Sequence, residues 1–127
     1  MAPRTIAILR GARALLARGI CRDAFARDER GETVATCAAE ARAWSPVGAL
    51  YRAAVDVVPR PASPYRERWE AIDEACAVLA AALPGGREEW ARTALTRWGD
   101  APGRTQREVL ELLDGVLEAQ GAKGAAA

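Results

Sequence analysis

A chain of 127 residues with a formal charge of +1 is sized for one domain and is neither strongly basic nor strongly acidic. Basic and acidic residues are interleaved, so the concentrated basic face of a nucleic-acid binder is absent, and no apolar run approaches the roughly 20 residues of a membrane span. The complete lack of histidine excludes Ser-His-Asp and Cys-His catalysis, histidine-ligated haem and the histidine-based zinc and iron sites.

Half of the residues are hydrophobic, but alanine makes up much of that half, against four tryptophans, two tyrosines and one phenylalanine. Alanine favours helices that pack closely through small side chains and adds little to a β-sheet core. The expected fold is mainly α: a small bundle of about five helices in one domain, residues 1–122, with a frayed tail at 123–127 and one short β-hairpin near residues 25–35. Met1-Ala2-Pro3-Arg4 leads straight into an amphipathic pattern without the apolar core of a signal peptide. Cys21, Cys37 and Cys76 are odd in number and lack CxxC spacing, which fits a reducing compartment. A cytoplasmic location is the expectation.

The first helix is expected from about Arg4 to Arg18, with Ile8, Leu9, Ala12, Leu15 and Leu16 on one face and Gly19 as its stop. Ile20 to Thr36 is the least helical stretch. There Asp28-Glu29-Arg30-Gly31 reads as a turn between Phe25 and Val34, with Phe25 anchoring a hairpin against the helices. Cys37 to Ala43 has helix propensity and ends at Trp44-Ser45-Pro46, where Ser45 as N-cap and Pro46 as N1 begin another helix carrying Val47, Leu50, Tyr51, Ala54 and Val58. Ser63-Pro64 repeats that chemistry for a helix ending near Leu83, with Trp69, Ile72, Cys76 and Leu79 buried. A shorter helix from about Arg87 to Arg97 turns Trp90, Ala94 and Leu95 inward and is followed by a loop from Trp98 to Arg104. Thr105-Gln106-Arg107-Glu108 is a capping box for the last helix, which buries Val109, Leu112, Leu113, Val116 and Leu117 and stops near Gly121.

Three stretches carry a resemblance: Gly19 to Asp28, Gly48-Ala49-Leu50-Tyr51-Arg52-Ala53-Ala54, and Trp98-Gly99-Asp100-Ala101-Pro102-Gly103-Arg104-Thr105. With the Val109-Leu110-x-x-Leu113 helix they resemble a domain-of-unknown-function family of short proteins common in actinobacteria and their phages. The resemblance covers most of the chain in the same order and implies a bacterial, cytoplasmic setting but no activity. The chain departs from the family pattern twice, with Gly99 where Asn is frequent and Ser45 where a cysteine precedes the Gly-Ala-Leu.

Several residues could carry chemistry. Asp100 could be a general base or hydrogen-bond acceptor, with Arg104 holding an anion, but the favoured reading is that Asp100 caps or braces the turn, Pro102-Gly103 makes it and Trp98 plugs the core. Cys21, beside Arg22 and Asp23, is a candidate nucleophile only if a cation lowers its pKa, and no histidine stands by to activate it. Tyr51 could point a hydroxyl into a cavity beside Arg52. Trp44, Trp69, Trp90 and Trp98 either fill a core or wall an apolar pocket. Carboxylates at Glu70, Asp73 and Glu74 and at Glu108 and Glu111 share helix faces, but the Glu-x-x-His partners of a bundle metal site are missing and Arg66, Arg68 and Arg107 lie near. No metal and no cofactor are expected.

Two functions follow. In the first, the protein binds or acts on a small organic molecule in a pocket walled by the tryptophans, Tyr51 and Phe25. The reaction would be cofactor-free cyclisation, isomerisation or elimination of the kind found in secondary metabolism, with Asp100 or Asp23 as base and Tyr51 or an arginine stabilising negative charge. It requires an enclosed pocket and a carboxylate of raised pKa. In the second, the chain is a non-catalytic helical module that binds another protein and exposes a large apolar patch. The tryptophans and unusual loops fall at helix junctions, where pockets form, which favours the first. A homo-oligomer is compatible with either; nucleic acid and membrane are not expected partners.

Overall fold

The computed structural model describes residues 1–59, 64–85 and 90–126. Their helices are α1 (Pro3–Arg18), α2 (Pro46–Val57), α3 (Pro64–Ala81), α4 (Ala91–Asp100) and α5 (Gln106–Ala126), with two short strands, β1 (Ala26–Arg27) and β2 (Ala43–Trp44), between α1 and α2. This is the expected mainly α bundle. α1 packs against α2, α3 and α5, and α4 lies across α3 and the start of α2. None of the helices is long and apolar enough to cross a membrane among the described residues.

The core is alanine-rich, as the composition requires, with branched side chains at the helix crossings. Ile8, Leu9 and Leu16 of α1, Leu50 of α2, Leu79 of α3, Leu95 of α4 and Leu113 of α5 are all fully buried. Two of the three expected helix caps are present. Ser45 Oγ accepts the Gly48 N–H at 3.0 Å, and Thr105 and Glu108 exchange reciprocal bonds of 3.0 and 3.1 Å. The Ser63 cap lies outside the described residues, as does the stretch 87–89 of the fourth expected helix.

The hairpin forms in a more elaborate way than a simple turn. Asp28 Oδ1 accepts the N–H groups of Arg30 and Glu32, both at 2.9 Å, and a single antiparallel bridge joins Arg27 to Thr33. The ladder partner of β1 is β2, with Ala26 opposite Trp44 and Arg27 opposite Ala43. That pairing explains why 37–43 is not helical despite its alanines. Arg42 N–H donates to the Arg27 carbonyl at 2.8 Å and Ser45 N–H to the Phe25 carbonyl at 3.1 Å, which holds the backbone extended against its local preference.

Four further expectations are corrected. Phe25 is 46% exposed; its carbonyl anchors the strand while its ring stands half out. Trp69 (39% exposed) and Trp90 (87% exposed) are not core residues, because Trp69 lies at the rim beside Tyr51 and Trp90 is the extended N-cap residue ahead of α4. Trp98, Gly99 and Asp100 belong to α4, so the following loop is only Ala101 to Thr105. α5 continues past Gly121 to Ala126, since a glycine within a helix costs only about 1 kcal/mol relative to alanine.

α1 and α5 are tied by Arg13, whose Nε and guanidinium donate to both oxygens of Asp114 at 2.9 and 3.2 Å. The guanidinium holds the Asp114 carboxyl below its ordinary value. A depressed carboxylate pKa adds stability that is present above the unfolded value, about 4, and is lost as pH falls through the folded value. The urea midpoint of Asp114→Asn should therefore lie below wild type near neutrality, and the gap should start to close below about pH 4 and vanish once the pH is below the folded value. A gap that stays constant down to pH 2 would show that the ion pair is not the source.

Candidate functional site

The segment from Gly19 to Phe25 is bent over the start of α2. Trp44 N–H donates to the Gly19 carbonyl and Cys21 N–H to the Trp44 carbonyl, both at 3.1 Å. Asp23 then takes a left-handed conformation, φ 61°, tolerated by Asp better than by most residues. From there its N–H donates to Asp100 Oδ1 at 3.0 Å, joining two positions 77 residues apart. Arg27 braces the same segment, with Nε and one guanidinium nitrogen on the Arg22 carbonyl and the other nitrogen on the Gly31 carbonyl at 2.8 Å.

The Phe25 carbonyl sits directly on α2. A Cβ built on Gly48 would lie 2.0 Å from that oxygen, so only glycine permits the approach. Gly99 performs the same service between α4 and α2, since a Cβ there would lie 2.9 Å from Pro46 Cδ. Two glycines thus bring the 21–25 segment and the end of α4 together over the first turn of α2. Between them is a solvent-open cavity of about 470 Å³ lined by Asp23, Ala24, Phe25, Thr33, Ser45, Thr96 and Asp100. That volume lies within the range of small-molecule sites.

Three of the expected site residues, Asp23, Phe25 and Asp100, meet in this cavity. Tyr51 adjoins it: its ring meets Phe25 edge-on at 5.2 Å, and it lines a neighbouring cavity of about 320 Å³ with Phe25, Thr96 and Arg92. Arg92 donates to the Tyr51 hydroxyl at 3.1 Å and to Asp73 at 2.8 Å while stacking over Trp69. Tyr51 is therefore held by a cation from outside the cavity of the two aspartates.

The remaining candidates are engaged elsewhere. Arg104 stacks 4.1 Å over the Trp98 ring, donates to the Trp98 carbonyl at 2.8 Å and pairs with Glu108. It locks the turn and is not offered to an anion in the cavity. Arg52 pairs with Asp56 at 2.9 Å on the groove between α1 and α2. Trp44 is 3% exposed with its indole N–H on the Thr36 carbonyl, so it is core.

Cys21 is buried, its Sγ 3.5 Å from the Ala24 carbonyl. Burial pushes its pKa up more than Arg27 pulls it down, the reverse of an activated thiolate. Burial raises Cys76 to about 12, whereas Cys37 is exposed. A thiol reagent added to the native protein should modify Cys37 rapidly and the other two only after unfolding. Rapid native labelling of Cys21 would restore it as a nucleophile.

Thr33, Ser45, Thr96 and Arg27 escaped the sequence reading as site residues. Thr96 was findable, being four residues before Asp100 on one helix, but nothing local marks the other three. Among the described residues no cluster of three or more His, Cys, Asp or Glu side chains could hold a metal ion. Neither the curated proteins nor the solved structures contain a match to this chain. Residues 1–119 match the model of DUF6197, a family of unknown function, and the chain belongs to that family.

Proposed function

We propose that the protein binds a small organic molecule in the cavity between the 23–25 segment and the end of α4. The observation that supports this most is the convergence of Asp23, Phe25 and Asp100, from distant parts of the chain, on one cavity of about 470 Å³. It carries an aromatic wall, hydroxyls and two carboxylates, the mixture of apolar surface and a few polar groups typical of ligand sites. Should the molecule react, Asp100 or Asp23 would take the proton without a cofactor. The cavity is open, not enclosed, and Glu108 and Asp114, carboxylates held below their ordinary values among the described residues, lie outside it. Binding is therefore better supported than catalysis. A cytoplasmic setting belongs to the same proposal, in keeping with three unpaired cysteines.

A second reading, a non-catalytic protein-interaction module, draws on the exposure of Phe25, Trp69 and Trp90. A thermal-shift screen against metabolites separates the two when run on wild type and on Thr96→Trp, which fills the cavity. A ligand at a hundred times its Kd adds about 2.7 kcal/mol, a rise of roughly 10 °C at this size. The expected result is a hit that wild type shows and Thr96→Trp loses. A hit retained by Thr96→Trp, or a flat screen, would sink the cavity as the site.

A further inference from the structure

We infer that this cavity takes a small organic cation, an amine or guanidinium carried on an apolar body; the inference rests on the binding proposal above. Its lining holds two carboxylates and no basic residue, in a chain with eighteen arginines and lysines. The four other cavities described each have at least one arginine in their walls. Asp56, Asp73 and Asp114 each hold an arginine at 2.8 to 2.9 Å, whereas neither Asp23 nor Asp100 has an ion-pair partner among the described residues. The hydrogen bond that Asp100 accepts comes from a neutral backbone N–H.

Asp100 is also the last residue of α4, the end at which the helix dipole leaves partial negative charge. A carboxylate at that end works against the helix and adds to the field over the cavity. Arg97, in the same last turn, lines the neighbouring cavity and not this one. The other walls suit an organic cation better than a bare metal ion. Phe25 presents a half-exposed ring, against which a cation gains by its quadrupole. Ser45, only 5% exposed, is also in the lining, and its Oγ, which receives one N–H, retains a second lone pair. The volume is many times that of a single ion.

Three probes with one phenyl-alkyl skeleton test this: phenethylamine, phenethyl alcohol and phenylpropionate, titrated into the full chain and followed by amide NMR. The amine should shift the amides of Asp23, Thr33, Thr96 and Asp100 and bind about tenfold more tightly than the alcohol, a factor that two partly exposed carboxylates and one ring can supply. Phenylpropionate should bind least. The preference should vanish in the Asp23→Asn and Asp100→Asn double variant. Both substitutions preserve shape, asparagine tolerates the left-handed conformation of residue 23, and the amide oxygen introduced at position 100 can still accept the backbone bond. Alcohol binding as tight as the amine at the same amides would overturn the cation inference while leaving the binding proposal standing. Equal shifts from calcium chloride alone would overturn it in favour of an inorganic ion. No response of these amides to any probe would overturn both.

Discussion

Replacing Gly48 with alanine is expected to destabilise the protein by about 3 kcal/mol or more and to collapse the ligand site with it. Helix propensity alone argues the other way, because Gly→Ala inside a helix is favourable by about 1 kcal/mol. The contact decides the sign. The added methyl would lie 2.0 Å from the Phe25 carbonyl oxygen and 2.7 Å from its carbon, and both are backbone atoms that no rotamer change can move. Relief requires the 21–25 segment to lift off α2, which breaks the bond from Ser45 N–H to the same carbonyl. Asp23 moves with that segment, so its bond to Asp100 fails as well. Urea unfolding measures the loss; a midpoint at or above wild type would contradict the close approach.

Leu95→Ala should cost about 3 kcal/mol, within the usual range for a fully buried leucine whose cavity cannot collapse. Leu95 fastens α4 to the core and so sets the positions of Thr96 and Asp100 beside it. Trp90→Ala, four residues before Ala94 on the stripe that the sequence suggests is inward, should change stability by less than about 0.5 kcal/mol because the ring is 87% exposed. Matched urea curves of the two variants check the contrast. Equal losses would mean that α4 begins earlier and turns Trp90 inward.

Helix period and capping chemistry made most of the helices legible. Ser45-Pro46 and the Thr105–Glu108 box are local signals, and the bonds they imply are present. Alanine misled at 37–43, where pairing of 42–45 with 25–27 outweighs propensity. Tryptophan misled at two positions, since a large ring at helical spacing reads as core whether or not another element covers it.

The site was legible residue by residue but not as a constellation. Asp23, Phe25 and Asp100 could be singled out, whereas their meeting depends on the chain bending at Asp23 and on two glycines admitting foreign backbone and ring atoms. A glycine inside an otherwise helical pattern is the signal that was available at Gly48, because such a residue often marks close approach. The roles proposed for Cys21 and Arg104 meet a common obstacle. Arg22 adjoins Cys21 in sequence, yet Arg27 is the cation its thiol senses and burial outweighs it. Arg104 looks available on paper, but Trp98 and Glu108 hold it.

The most direct measurement is a crystal structure of the protein soaked with the strongest hit of the thermal-shift screen. The expected result is ligand density between Asp23, Phe25 and Asp100, with a polar group of the ligand within hydrogen-bond distance of an Asp100 oxygen. Density seated instead in the α1–α2 groove beside Arg18 and Arg52, with the Asp100 cavity empty, would contradict the assignment.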